Sequence, residues 1–294
     1  MISLQAAAHP PKRSLIEASH DIMNAYHTLE DICQAQKYAF LPLSIPFDPS
    51  YQGMDRLAAR VRHYLGAGDI VVFDYFELLE TMGLRIIVFP FPRDTWDLDA
   101  ACFYEPVFNN AFFFISSRLT PEKQLFALSR ELGKIIISNQ QNLCTGPVFA
   151  PHDPVGSEKR PITPERAAKR FAATFLMPEA AVRSTVNQLG VVDRHWSLEL
   201  LFRIKHRFGV SAEAFLYRLD ELGLIAGELV LVFTEQIHAF YGRSNNQEPD
   251  STRRNLTPNG RFFDLFLTAG CLDGVEDELL DVERIIARYG IIRK

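Results

Sequence analysis

The chain has 294 residues, 47% hydrophobic and 23% charged, which supplies apolar surface for one large domain or two to three small ones. A net charge of −5 argues against a general binder of nucleic acid or anionic membranes, although a local basic face stays open. Four separated cysteines (Cys33, Cys102, Cys144, Cys271), no apolar h-region over 1–13 and no apolar run near ~18 residues together predict reduced thiols, no membrane contact and a cytoplasmic protein.

In chain order, residues 15–36 have helical spacing, and 40–49 form a Pro-punctuated, extended stretch that looks like a linker. Over 55–65, Leu57, Ala58, Val61 and Leu65 recur at helical spacing with arginines on the other face, and Gly66 to Gly68 close the helix. Residues 73–82 read as a second short helix stopped by Gly83. The stretches 84–91 and 111–116 are nearly all apolar, so each predicts a strand buried on two faces or lying in a sheet covered by helices.

Thr120-Pro121-Glu122 and Thr163-Pro164-Glu165 share one punctuation. Each offers a hydroxyl N-cap, a proline at the first helical position and an acid at the positive end of the helix dipole. The first opens a helix through about Ile137; the second opens 166–176 and stops near Pro178. Between them, 139–161 is polar and rich in Pro and Gly, hence a surface loop. Helices over 197–207 and 211–222 are hinged at Gly209. A strand over 228–234, a flexible loop over 242–260 and a terminal helix over 275–288 follow, and there is no internal repeat.

The helix after Pro121 carries the chemistry. In zinc peptidases of the His-Glu-x-x-His type, two histidines four apart face the metal from one side of a helix, and the glutamate between them is the general base. Here Arg130 and Lys134 occupy the histidine places and Glu131 keeps the glutamate place. Alone, Arg-Glu-Leu-Gly-Lys is a weak signal and reads first as an exposed helix face with charges at i and i+4.

The surroundings shift that balance. The stretch resembles the ImmA/IrrE family of zincin-type regulatory metallopeptidases, in which a strand leads into Arg-Phe-Thr-Leu-Ala-His-Glu-Leu-Gly-His and an apolar tail. A later helix of the family reads Glu-Ala-Asn-x-Phe-Ala-Ala-x-Leu-Leu-Met-Pro, and this chain has Ala167-Ala168-Lys169-Arg170-Phe171-Ala172-Ala173-Thr174-Phe175-Leu176-Met177-Pro178 at the matching place. Upstream, 57–62 and 78–84 look like the family's opening helices; downstream, 208–211 and 218–225 match its closing ones. The resemblance covers roughly 55–225. It implies an α+β fold with a zincin-like domain (a small sheet with helices) over 53–190, after an N-terminal helix and linker over 1–52. A helix-turn-helix-like pair follows over 191–226, then a small α/β region of unassigned role over 227–294.

Carried over residue by residue, the resemblance implies that the two histidine ligands are replaced by Arg130 and Lys134. The third ligand, the glutamate of Glu-Ala-Asn, is replaced by Ala167. Zinc is the family's cofactor, and none is expected here. Without it Glu131 has no activated water to deprotonate. The two cations are expected to stand in for the missing metal charge by pairing with Glu131 and Glu165; the opposing expectation is that both heads point to solvent. His152 and Cys144 are the nearest alternative ligands in sequence order, and His63, His195 and His206 are scattered, with no ligand-spaced pair among them.

Three functional readings follow. The first is a catalytically degenerate, bacterial or phage regulator that binds a protein partner, such as a repressor or a member of a toxin–antitoxin system. The second is an active metallopeptidase or hydrolase that cleaves a repressor with Glu131 as base. The third is DNA binding through 198–222, where Arg203, Lys205, His206 and Arg207 are basic but the second helix carries Glu213, Asp220 and Glu221 against Arg218. A homo-oligomer is compatible with all three. Arg253 and Arg254 read as exposed charges in the loop.

Overall fold

The computed structural model describes residues 13–39, 41–141, 162–243, 247–249 and 256–293. In chain order its elements are α1 (Arg13–Ile32), α2 (Tyr51–Tyr64), α3 (Tyr75–Thr81), β1 (Arg85–Phe89), β2 (Ala100–Glu105), β3 (Asn110–Ser116), α4 (Pro121–Gln141), α5 (Pro164–Leu176), α6 (Glu179–Gln188), α7 (Leu198–Phe208), α8 (Ala212–Glu221), α9 (Gly227–Arg243), α10 (Gly260–Ala269) and α11 (Glu276–Tyr289). They fall into two units. Unit 1 takes Met1–Leu41, Asp74–Leu119 and Asn255–Lys294; unit 2 takes Pro42–Phe73 and Thr120–Arg254.

Unit 1 is built on a three-stranded sheet with β3 in the centre, parallel to β1 and antiparallel to β2. Side chains alternate across a strand, so Ile87, Phe89, Phe103, Phe112 and Phe114 share one face. That face packs with α1, α10 and α11 through Ile22, Tyr26, Phe262 and Val282, all buried. The rings meet edge to face, Tyr26 with Phe112 at 5.5 Å and Phe103 with Phe114 at 5.6 Å between centroids. Ile86, Val88, Phe113 and Ile115, on the other face, are buried too, in keeping with the apolar runs in the sequence.

Two polar devices complete the unit. Arg85 opens β1 with its side chain fully buried. It donates to both Glu30 oxygens at 2.9 and 2.8 Å and to Glu105 at 2.5 Å, which offsets its desolvation. Asn259, at φ +64°, accepts from the Val88 N–H at 2.7 Å and donates to the Val88 carbonyl at 3.0 Å. One side chain thus pairs with the free edge of β1 as a neighbouring strand would.

Unit 2 is helical. α5 packs between α4 and α2, and α8 packs on α7 and α9. Buried arginines fasten its helix ends: Arg62 donates to the Gly68 and Phe175 carbonyls at 2.7 and 2.5 Å, and Arg218 to the Met177 carbonyl at 3.1 Å. Arg170 grips Asp55 of α2 with two bonds of 2.7 and 2.6 Å and reaches Glu221 of α8 at 2.5 Å.

The strand expected over 228–234 is corrected: these residues belong to α9. The run Leu229-Val230-Leu231-Val232-Phe233 looks like a strand because it is rich in β-branched side chains. The buried residues, however, are Val230, Phe233, Ile237 and Tyr241, spaced three, four and four apart, which is one helical face. α6, α10 and β2 were not expected. The loop over 242–260 gives way to α10 at Gly260, and α4 runs on to Gln141 instead of ending near Ile137. Residues 142–161, with Cys144 and His152, and residues 250–255, with Arg253 and Arg254, lie outside the described residues. Among the described residues no helix is long and apolar enough to cross a membrane.

Candidate functional site

α4 and α5 of unit 2 carry the residues that the sequence singles out. Thr163 caps α5, its hydroxyl accepting from the Arg166 N–H, and Pro164 and Glu165 follow in the first turn. Glu165 therefore projects from the start of α5. On α4, Ser129 is buried and its hydroxyl donates to the Leu125 carbonyl one turn back at 2.9 Å, which satisfies it without interrupting the helix.

The structure brings Arg130, Glu131, Lys134 and Glu165 together. Lys134 Nζ lies 2.9 Å from Glu131 Oε1 and 3.5 Å from Glu165 Oε2. Arg130 Nε lies 3.4 Å from Glu131 Oε1, and its Nη1 lies 3.9 Å from Glu165 Oε1. Lys169, which sequence reasoning did not single out, adds a third cation 3.7 Å from Glu165. The Glu131 side chain is only 3% exposed, so its contacts with Lys134 and Arg130 are worth more than those of the half-exposed Glu165.

Ala167 lies on α5, fully buried, and presents a methyl group. Arginine stays protonated and has no lone pair to give, lysine would have to lose its proton, and alanine has no donor. The set Arg130, Lys134 and Ala167 therefore does not fit a zinc ion. Among the described residues no three His, Cys, Asp or Glu side chains converge into a group able to hold a metal. His63 and His195 are exposed and His206 is half-buried on α7.

Gly133 is a second residue that sequence reasoning missed. A Cβ there would stand 2.7 Å from Cδ1 of Phe171, so glycine is what lets α4 and α5 approach this closely. The signal was present: a glycine inside a helix costs about 1 kcal/mol relative to alanine, and its position next to a chemical motif suggests a packing reason.

The helix pair α7–α8 offers little to a nucleic acid. Arg218, the one cation of α8, is buried and turned to the Met177 carbonyl. Lys205 is fully buried near Glu122 and Glu248, at 4.0 and 3.6 Å. Arg203 and Arg207 are exposed on α7.

No curated protein matches the chain. A solved structure, a Mycobacterium tuberculosis transcriptional regulator, is similar at 21% identity and a TM-score of 0.39, over 68% of this chain and 51% of that one. The chain thus spans about half the length of that protein. Residues 79–220, which hold the sheet and α4 to α8 within an α+β, zincin-like fold, match the model of the IrrE N-terminal-like domain. Over this stretch, just under half of the chain, the protein is similar to the ImmA/IrrE-like family.

Proposed function

We propose that this protein is a catalytically degenerate ImmA/IrrE-like regulator that works by binding a protein partner, of the repressor class, without cleaving it. The observation that carries the reading is the closed charge set on α4 and α5. Glu131, the residue in the general-base position, is nearly buried and shares one carboxylate oxygen between Lys134 and Arg130 at 2.9 and 3.4 Å. A general base needs a free lone pair directed at a water, and a zinc peptidase also needs a Lewis acid to acidify that water. In this reading the cations occupy the Glu131 carboxylate within the helix pair, and the helices persist as a scaffold for binding.

Two measurements test it. Elemental analysis of the purified protein is expected to find zinc well below one ion per chain. The triple variant Arg130→His, Lys134→His, Ala167→Glu, which restores the family's donor set, is expected to take up about one ion per chain. One zinc per wild-type chain would overturn the reading. Incubation with a purified helix-turn-helix repressor that binds the chain should leave the repressor intact and co-eluting. Cleavage that disappears in Glu131→Gln would establish the hydrolase instead.

A further inference from the structure

Within unit 1 a cavity of about 600 Å³ opens beside α3 and α10, with Glu77, Glu80, Thr257, Arg261, Asp264 and Arg293 among its lining. That volume suits a small molecule; such sites run to roughly 300–1,000 Å³. Glu80 is its unusual member. It is 5% exposed, its Oε2 accepts the Arg261 backbone N–H at 3.1 Å, and its Oε1, though buried, has no hydrogen-bond partner among the described residues. A buried acceptor left without a donor costs about 1–3 kcal/mol.

Most of the neighbouring polar atoms are already committed; the exception is Arg261 Nε, which is buried without a hydrogen-bond partner among the described residues. Asp74 accepts from the Thr257 N–H and hydroxyl, both at 2.8 Å, and from the Phe76 N–H at 2.8 Å. Asp264 pairs with Arg293 at 3.0 Å. The Arg261 guanidinium donates to the Gln36 carbonyl at 2.6 Å and to Glu30 at 3.4 Å. Three carboxyl side chains thus border the cavity against two guanidinium groups, and the acid nearest the interior lacks a donor.

We propose that this cavity binds a small molecule carrying a primary ammonium group, with Glu80 Oε1 as its acceptor and Glu77 and Asp264 at the rim. An ammonium supplies what is missing, a compact charged donor of N–H bonds.

Protonation gives the proposal a second readout. Burial pushes the Glu80 carboxyl up to about 8; the Arg261 backbone N–H opposes this shift and Asp74 adds to it. The charged and titratable groups around Glu80 are Asp74 and Glu77 at α3, Arg261 and Asp264 on α10, and Tyr26 and Glu30 on α1. At neutral pH the unliganded carboxyl therefore keeps its proton, and an arriving cation favours the ionised form, so binding releases a proton.

The test is calorimetric titration of the full chain with 1,4-diaminobutane at pH 7, in buffers of different ionisation enthalpy. Binding with release of close to one proton per ligand is expected. Butane-1,4-diol, matched in length but uncharged, is expected not to bind. Glu80→Gln keeps an acceptor for the Arg261 N–H, and should weaken the diamine roughly 10- to 100-fold and abolish proton release. Should that variant fail to fold, Asp264→Asn is expected to weaken binding a few-fold with proton release retained. No heat from the diamine at millimolar concentration, equal binding by the diol, binding without proton release, or undiminished binding by Glu80→Gln would each overturn the assignment.

Discussion

Lys134 and Glu131 are one helical turn apart, and their charged atoms meet at 2.9 Å with the carboxylate almost out of solvent. A pair on an open surface couples by about 0.2–1 kcal/mol, whereas a carboxylate this buried loses a partner it cannot replace with water. A double-mutant cycle with Lys134→Met and Glu131→Gln, followed by urea denaturation, is expected to give a coupling of about 1–2 kcal/mol. A coupling indistinguishable from zero would reduce the cluster to surface decoration. At this scale the sequence was informative: spacing alone placed Arg130, Glu131 and Lys134 on one stretch of helix, and the cap at Thr163 announced where Glu165 begins α5. Lys169 was not legible, since its contact with Glu165 is one of many i, i+4 pairs a reader would discount. Nor was His27, which sits between Glu30 at 3.2 Å and Glu105 at 2.9 Å. Burial alone would lower its pKa, but the hydrogen bonds to Glu105 and Glu30 outweigh it and raise the value from 6.5. The fold therefore favours the imidazolium. Its contribution is full below the unfolded value and is lost as pH rises through the raised folded one. His27→Gln is expected to cost more stability at pH 6 than at pH 9, and equal denaturation shifts at the two pH values would count against this.

Among the elements, the α4–α5 pair and α9 show where local pattern suffices and where it misleads. At Gly133 two effects compete. Alanine would gain about 1 kcal/mol of helix propensity, but its methyl would stand 2.7 Å from the Phe171 ring, which is fully buried and has nowhere to go. Overpacking costs typically about 1–3 kcal/mol, so Gly133→Ala is expected to destabilise on balance, with partial recovery when Phe171→Leu is added. Thermal denaturation of the single and double variants decides it; a stabilised Gly133→Ala would mean that the helices are not in close contact. α9 was misread because five consecutive apolar residues fit both a buried strand and a helix segment. The structure settles the period by burial. Leu231 and Val232 are 72% and 47% exposed while Val230 and Phe233 are buried, and a strand would separate these residues by alternation instead. Leu231→Gln is accordingly expected to change stability by no more than about 0.5 kcal/mol, and Ile237→Ala to cost about 2–5 kcal/mol. The reverse order would restore the strand.

For the whole chain, the least legible fact is that unit 1 is assembled from three separated stretches. Local periodicity identifies α1, the apolar strands and α11, yet nothing in a window of ten or twenty residues says that α10 and α11 return to the sheet that β1 and β3 began. The reason is physical: the Phe-rich face of that sheet has to be covered, and any sufficiently apolar helix face satisfies the requirement. Here Phe262, Val282 and Ile291 provide it, and Asn259 closes the edge of β1 on the way. Removing 255–294 would take Phe262, Val282 and Ile291 out of the core and strip part of the cover from the Phe-rich face, leaving α1 over Phe112. Each fully buried side chain of this kind is worth about 1.5–3 kcal/mol, so the combined loss rivals the roughly 5–15 kcal/mol that holds a domain folded. A chain ending at residue 254 is therefore expected to lose its cooperative urea transition and to bind a hydrophobic dye. Phe262→Ala, which opens only a cavity, is expected to keep a cooperative transition shifted by about 3–5 kcal/mol. If the shortened chain instead unfolds cooperatively at the wild-type midpoint, the last two helices are an appendage and the sheet is covered by something else.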